Sequence, residues 1–206
     1  MCTTSLPSGI LGCCICSAMP MVTFSESMFD DIDILPATIV FDLDDTLWTG
    51  EVDCSGGPPF SKLRNSRHTI HCRRRSPVTL FDEVPAIFDL LTDHEIKVSY
   101  ASRTWEPRWA EEALKEFECG TQRPVSMWSV SAAAGWGDCS KVKHLKEISS
   151  LLNVPYESMV FFDNEMRNIR DIQPLGATCG YCPDGMTLDI LRDTLMEHSN
   201  RKRQAQ

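Results

Sequence analysis

Between Ile39 and Trp48 an apolar run, Ile39-Val40-Phe41, breaks into carboxylates at Asp42 and Asp44, followed by the hydroxyl of Thr46. Consecutive β-branched and aromatic residues suit a strand covered on both faces, as in a parallel sheet between helices. In open α/β sheets ligands bind beyond the carboxyl ends of the strands, which is where these acids emerge. Carboxylates gathered at the edge of a core repel one another unless a cation offsets them. Mg²⁺ answers that need, since it takes one or two carboxylates together with phosphate oxygens. Asp42 could then attack as a nucleophile while Asp44 gives and takes a proton. The plainer reading is an acidic turn after a strand, with Thr46 capping a helix.

From Pro36 onward the pattern alternates strand and helix, which predicts an α/β fold: a Rossmann-like parallel sheet sandwiched by helices. Strands are expected at 38–42, 96–102, 125–130, 159–162 and 177–181. Helices are expected at 85–91, 105–117, 141–152, 169–175 and 186–196. Val142, Leu145, Ile148 and Leu152 share one side of the 141–152 helix. Residues 50–80 read as a loop-like insertion, leaving room for only a minimal cap. Residues 1–35 contain no Lys or Arg and read as a disordered tail. Residues 199–206 read as a solvated basic tail, which puts the folded domain at 36–198.

At 206 residues the chain is long enough for one domain with a substantial core. Its formal net charge of −9 argues against nucleic acid as a partner, because binding one requires its phosphates to be neutralised. No apolar stretch approaches a membrane span, and residues 1–20 lack the basic start of a secretory leader. A reducing, cytoplasmic setting and a monomer are expected. Ten cysteines include two C-x-x-C pairs, Cys13/Cys16 and Cys179/Cys182, too far apart in sequence to suggest zinc.

Two further strand ends present polar residues. Ser102 lies in Tyr100-Ala101-Ser102-Arg103-Thr104, and Asp163-Asn164-Glu165 follows Val160-Phe161-Phe162; between them Lys141 opens a helix directly after Ser140. This ordered set resembles the four motifs of the haloacid dehalogenase superfamily. More closely, it is similar to the magnesium-dependent phosphatase family. That likeness is carried by Pro58-Pro59-Phe60, Ala101-Ser102-Arg103-Thr104, Phe161 to Glu165 with Arg167-Asn168-Ile169, and Asp184-Gly185-Met186. The resemblance implies an aspartyl-phosphate on Asp42, proton transfer by Asp44, and a loop oriented by Thr46. It implies phosphoryl binding by Ser102 with Arg103 beside it, and pairing of Lys141 with both phosphoryl group and nucleophile. Mg²⁺ would be held by Asp42, Asp44 through its carbonyl, Asp163 and Asn164. The family usually carries a second Asp where this chain has Asn164, whose neutral oxygen can still ligate Mg²⁺. The resemblance favours Asn164 as the direct ligand, with Asp163 acting through water.

Lys62, Arg64, Arg67, Arg73, Arg74 and Arg75, with His68 and His71, form a basic cluster in the insertion that could attract an anionic substrate. His68, His71 and Cys72 lack a fourth ligand for zinc. A site without a large cap is open to a phosphoprotein surface as well as to small phosphate esters. The resemblance extends to phosphotyrosine-like and sugar-linked phosphates. The expectation is therefore a Mg²⁺-dependent acid phosphatase, a phosphoric monoester hydrolase. The alternatives are a silent phosphoprotein-binding or regulatory module and a phosphotransferase of the same fold.

Overall fold

The apolar run that opens the chain's most telling segment becomes β1 (Thr38–Phe41), and Ile39, Val40 and Phe41 are fully buried. In the computed structural model, which describes residues 28–64, 66, 68–73, 77–119, 123–124, 129–132 and 140–205, β1 is the middle of a five-stranded parallel sheet. β9 (Met159–Asp163) and β10 (Thr178–Tyr181) lie on one side, and β5 (Lys97–Tyr100) and β8 (Ser129–Ala132) on the other. A separate two-stranded ribbon, β6 (Glu118–Cys119) with β7 (Arg123–Pro124), follows the second helix. Strand order reverses between β1 and β9, which opens a crevice at their carboxyl ends.

Side-chain alternation along the strands divides the core into two layers. Ile39, Phe41, Val160 and Phe162 pack with α1 (Val84–Asp93), α2 (Pro107–Glu116) and α5 (Leu188–Gln204). Val40, Met159 and Phe161 face the opposite way, against α3 (Lys141–Leu152) and α4 (Met166–Ile172). The layer beneath α5 leaves no room at Gly180. A Cβ there would lie 2.4 Å from the Phe162 ring and 2.6 Å from Thr194 Oγ1. Gly180→Ala is therefore expected to cost about 1–3 kcal/mol of stability through overpacking. Urea unfolding would show this as a lower midpoint at unchanged slope.

Three expectations differ from the structure. The insertion at 50–80 is not simply loop, because β2 (Ser61–Lys62), β3 (Thr69–His71) and β4 (Val78–Thr79) form a small antiparallel sheet. Ile70 and Val78 anchor it in the main core. The folded unit also begins before Pro36: Phe29 and Ile32 are buried, and the Phe29 ring stacks on His94 at 4.0 Å. At the other end α5 carries the supposedly solvated basic residues into specific contacts. Arg201 donates to the carbonyls of Gly176 and Ala177, Lys202 to Ser158 Oγ, and Arg203 to Asp33. Cations in the last turn suit the negative end of a helix, so this sequence extends α5. Part of the strand expected over 125–130 lies outside the described residues, and β8 occupies Ser129–Ala132.

Candidate active site

Asp42 leaves β1 with its backbone still tied to the neighbouring strand, its N–H donating to Phe162 O at 2.9 Å. The chain then winds about Leu43 O, which accepts from the N–H groups of Thr46 and Leu47 at 3.2 and 2.8 Å. Asp45 takes a left-handed conformation with φ 53°, and its side chain accepts from Gly50 N at 2.7 Å. Asp is one of the few side chains that tolerates that region. No helix begins at Thr46. Instead its fully buried hydroxyl accepts from Asn164 N at 3.1 Å, and its carbonyl from Met186 N at 2.9 Å. Thr46 thus joins three loops, and the Asp184-Gly185-Met186 segment helps to position it.

Lys141 is the first residue of α3 and is 1% exposed. Its Nζ donates to Asp42 Oδ1 at 2.5 Å and to Ala101 O, and lies 3.4 Å from Asp163 Oδ2. A helix N-terminus repels a cation, so the two carboxylates must offset both that dipole and the loss of water. Ser140 caps the same helix, its Oγ accepting from Val142 N.

The remaining acids are tuned apart. Asp44 accepts from Trp48 Nε1 at 2.8 Å and Val52 N at 2.9 Å. Burial nevertheless pushes its carboxyl up to about 7, with the charges of Asp42 and Asp53 acting in the same direction. Asp163 is raised to about 6 by burial and then by Asp42, against the pull of Lys141 and of Asn168. Asn168 Nδ2 lies 2.9 Å from both Asp163 oxygens, and Glu165 N donates to Asp163 Oδ1 at 2.7 Å. A carboxyl at about 7 beside a second carboxylate is the usual arrangement for an acid and a nucleophile working together.

Asp42, Asp44, Ser102, Arg103, Lys141 and Asn164 line one open cleft of ≈ 320 Å³. Asp163 does not line it; it sits behind, fully buried, and meets the site through Lys141. Buried Ser102 presents its hydroxyl here while accepting from Thr104 N at 3.2 Å. Arg103 pairs with Glu165, which also accepts from Arg167 Nε at 3.0 Å and Asn168 Nδ2 at 2.9 Å. Sequence reasoning assigned no role to Glu165 or Asn168. The signal that could have found them was their placement around the first turn of α4, directly after the strand that delivers Asp163. Of the basic cluster in the insertion, Lys62, Arg64 and Arg73 are not among the cleft-lining residues, and Arg67, Arg74 and Arg75 lie outside the described residues.

Asp42, Asp44 and Asn164 offer only oxygen donors, a set suited to a hard divalent ion such as Mg²⁺ and poorly suited to a soft one. One amine, Lys141, faces both Asp42 and Asp163, so further positive charge would be accommodated.

Residues 34–201 match the acid phosphatase family. Magnesium-dependent phosphatase 1 of Homo sapiens is 36% identical over 161 residues, covering 78% of this chain and 86% of that protein. A HAD-like hydrolase superfamily protein of Schizosaccharomyces pombe is 32% identical over 146 residues, covering 69% of this chain and 83% of its own. The structure of a HAD-superfamily hydrolase from Ehrlichia chaffeensis shares the fold with a TM-score of 0.51 at 10% identity, over 80% of this chain and 98% of that one. The family match and the HAD-like hydrolase relative together define a phosphatase of the haloacid dehalogenase superfamily. Within that class the chain belongs to the magnesium-dependent phosphatase family.

Proposed function

We propose that this chain hydrolyses phosphomonoesters through an aspartyl-phosphate on Asp42. The observation that carries the reading is the pairing of Asp42 with buried Lys141 beside an Asp44 whose carboxyl sits at about 7. An Asp42 oxygen attacks phosphorus, and the bond from phosphorus to the leaving oxygen breaks as Asp44 donates a proton to that oxygen. Asp44 then takes a proton from the water that cleaves the acyl phosphate, releasing inorganic phosphate and restoring Asp42. Lys141 offsets charge at Asp42, and the Ser102 hydroxyl and Arg103 guanidinium bind phosphoryl oxygens. Asp42, the Asp44 carbonyl and Asn164 would hold Mg²⁺, whose contribution when bound is neutralisation of phosphate charge. Asp163 already accepts from Asn168 and Glu165 and faces Lys141, which supports Asn164 as the direct ligand. The open cleft accords with phosphotyrosine-like or sugar-linked substrates, and no helix among the described residues is long and apolar enough to cross a membrane.

Phosphate release from an aryl phosphate, with Mg²⁺ and with a chelator, tests this directly; a folded, metal-loaded chain that turns over no phosphoester would favour the silent binding module. The pH dependence has a defined sign. Asp44 must start protonated, and its carboxyl is raised from 3.8 to about 7. Thus kcat/KM is expected to hold below that point and fall about tenfold per unit above it. Asp44→Asn should harm an alkyl phosphate far more than p-nitrophenyl phosphate, whose leaving group departs without a proton. Equal losses would remove Asp44 from the role of acid.

A further inference from the structure

Glu165 is the residue from which α4 starts, a place where a carboxylate ordinarily turns back to accept the unpaired N–H groups of the first turn. Its side chain makes no such bond. It reaches instead to the segment after β5 and pairs with Arg103. The same Oε2 accepts from Arg167 Nε at 3.0 Å and Asn168 Nδ2 at 2.9 Å, and Oε1 accepts from Arg167 Nη2 at 3.2 Å. Both oxygens are thus occupied, by donors that come from two different loops around the cleft.

Glu165, Arg103 and Arg167 all line the cleft. A bare carboxylate at that wall would repel a phosphoryl group. Arg167 offsets it from the solvent side, its side chain 64% exposed against 23% for Arg103. The outer arginine therefore balances the charge while the inner one is held in a single geometry. Arg103 meets Glu165 through Nη2, so the rest of its planar fork of N–H groups can meet an anion. A long side chain fixed before substrate arrives gives up less rotamer freedom on binding. We infer that Glu165 is a positioning residue: it aims the Arg103 guanidinium at the phosphoryl site, and Arg167 keeps its charge from opposing the substrate. The inference rests on the phosphomonoesterase reading and adds to it a residue that acts through Arg103.

The test is a double-mutant cycle. It reads kcat and KM for p-nitrophenyl phosphate, with Mg²⁺ present, in wild type, Glu165→Ala, Arg103→Ala and the double variant. The factor by which Glu165→Ala raises KM is expected to be about twofold to tenfold larger with Arg103 present than without it, the cost of ordering one long side chain. The difference should fall on KM rather than kcat. Release of Arg167, and any loosening of α4, occurs in both backgrounds and cancels from the comparison. Equal factors in the two backgrounds overturn the inference. So does a factor that is smaller with Arg103 present, which would mean that the carboxylate withholds Arg103 from substrate. Calorimetric titration with inorganic phosphate repeats the cycle without turnover. If wild type hydrolyses no ester, the phosphatase reading fails and the titration decides the role of Glu165. Phosphate affinity weakened by Glu165→Ala only where Arg103 is present sustains the inference, and a wild type that binds no phosphate removes it.

Discussion

Replacing Asp42 by Asn is expected to lower kcat for an aryl phosphate at least about a thousandfold with the fold intact, because a carboxamide is a very poor nucleophile. The substitution is nearly isosteric, and the new side-chain oxygen can still accept from Lys141, which sits 2.5 Å from the present carboxylate. Asp163 remains 3.4 Å away as a second partner for that amine, so the cation is not stranded. The loss should therefore appear in steady-state phosphate release without a matching drop in Tm. Near-normal turnover in a folded Asp42→Asn protein would place the nucleophile elsewhere.

Lys141→Met should damage both activity and stability, and the two losses have separate causes. Activity is expected to fall at least about a hundredfold, since a positioned charge at the reacting group is removed. Stability should fall by about 3–5 kcal/mol, the usual consequence of taking one partner from a buried ionic cluster. Asp42 and Asp163 would then face each other without the amine that lies between them. Asp163 is already raised to about 6, and losing Lys141 removes one of the influences holding it down. Protonation relieves carboxylate repulsion, so the destabilisation should be larger at about pH 8 than at about pH 5.5. Urea unfolding of the variant and wild type at both values reads this difference. A pH-independent gap would mean that lost packing, rather than charge, dominates.

The parts of this molecule that were legible in the sequence are those where periodicity and chemistry point the same way. β1, α3 and β9 were visible because an apolar run or stripe adjoins a residue suited to chemistry, namely Asp42, Lys141 or Asp163. The insertion was not, because β3 spans only Thr69–His71, and a single inward Ile70 among basic residues gives almost no alternation to read. Phe29 and Ile32 were hidden among Asp30, Asp31 and Asp33, whose charge resembles that of a solvated tail. The candidate site shows the same division. Its motif residues could be named in advance, whereas Asp163's seat behind the cleft depends on the Asn168 amide reaching back from α4. The basic cluster marks the limit of such reading, because charge composition carries no direction: Lys62, Arg64 and Arg73 do not line the cleft.

The flanking segments also meet each other. Asp33 pairs with Arg203 at 2.8 Å, Lys202 bonds Ser158 Oγ at 3.1 Å, and Ala37 N donates to Ser158 O at 2.9 Å. All of these contacts lie where β1 and β9 enter the sheet, while the cleft lies where those strands leave it. Four residues of strand separate the two poles, about 13 Å of rigid backbone. The protein therefore has a handle end and a working end. A carrier, a bead or a second protein attached at Asp33 or at Arg203 would sit at the pole away from the cleft and leave the cleft turned outward.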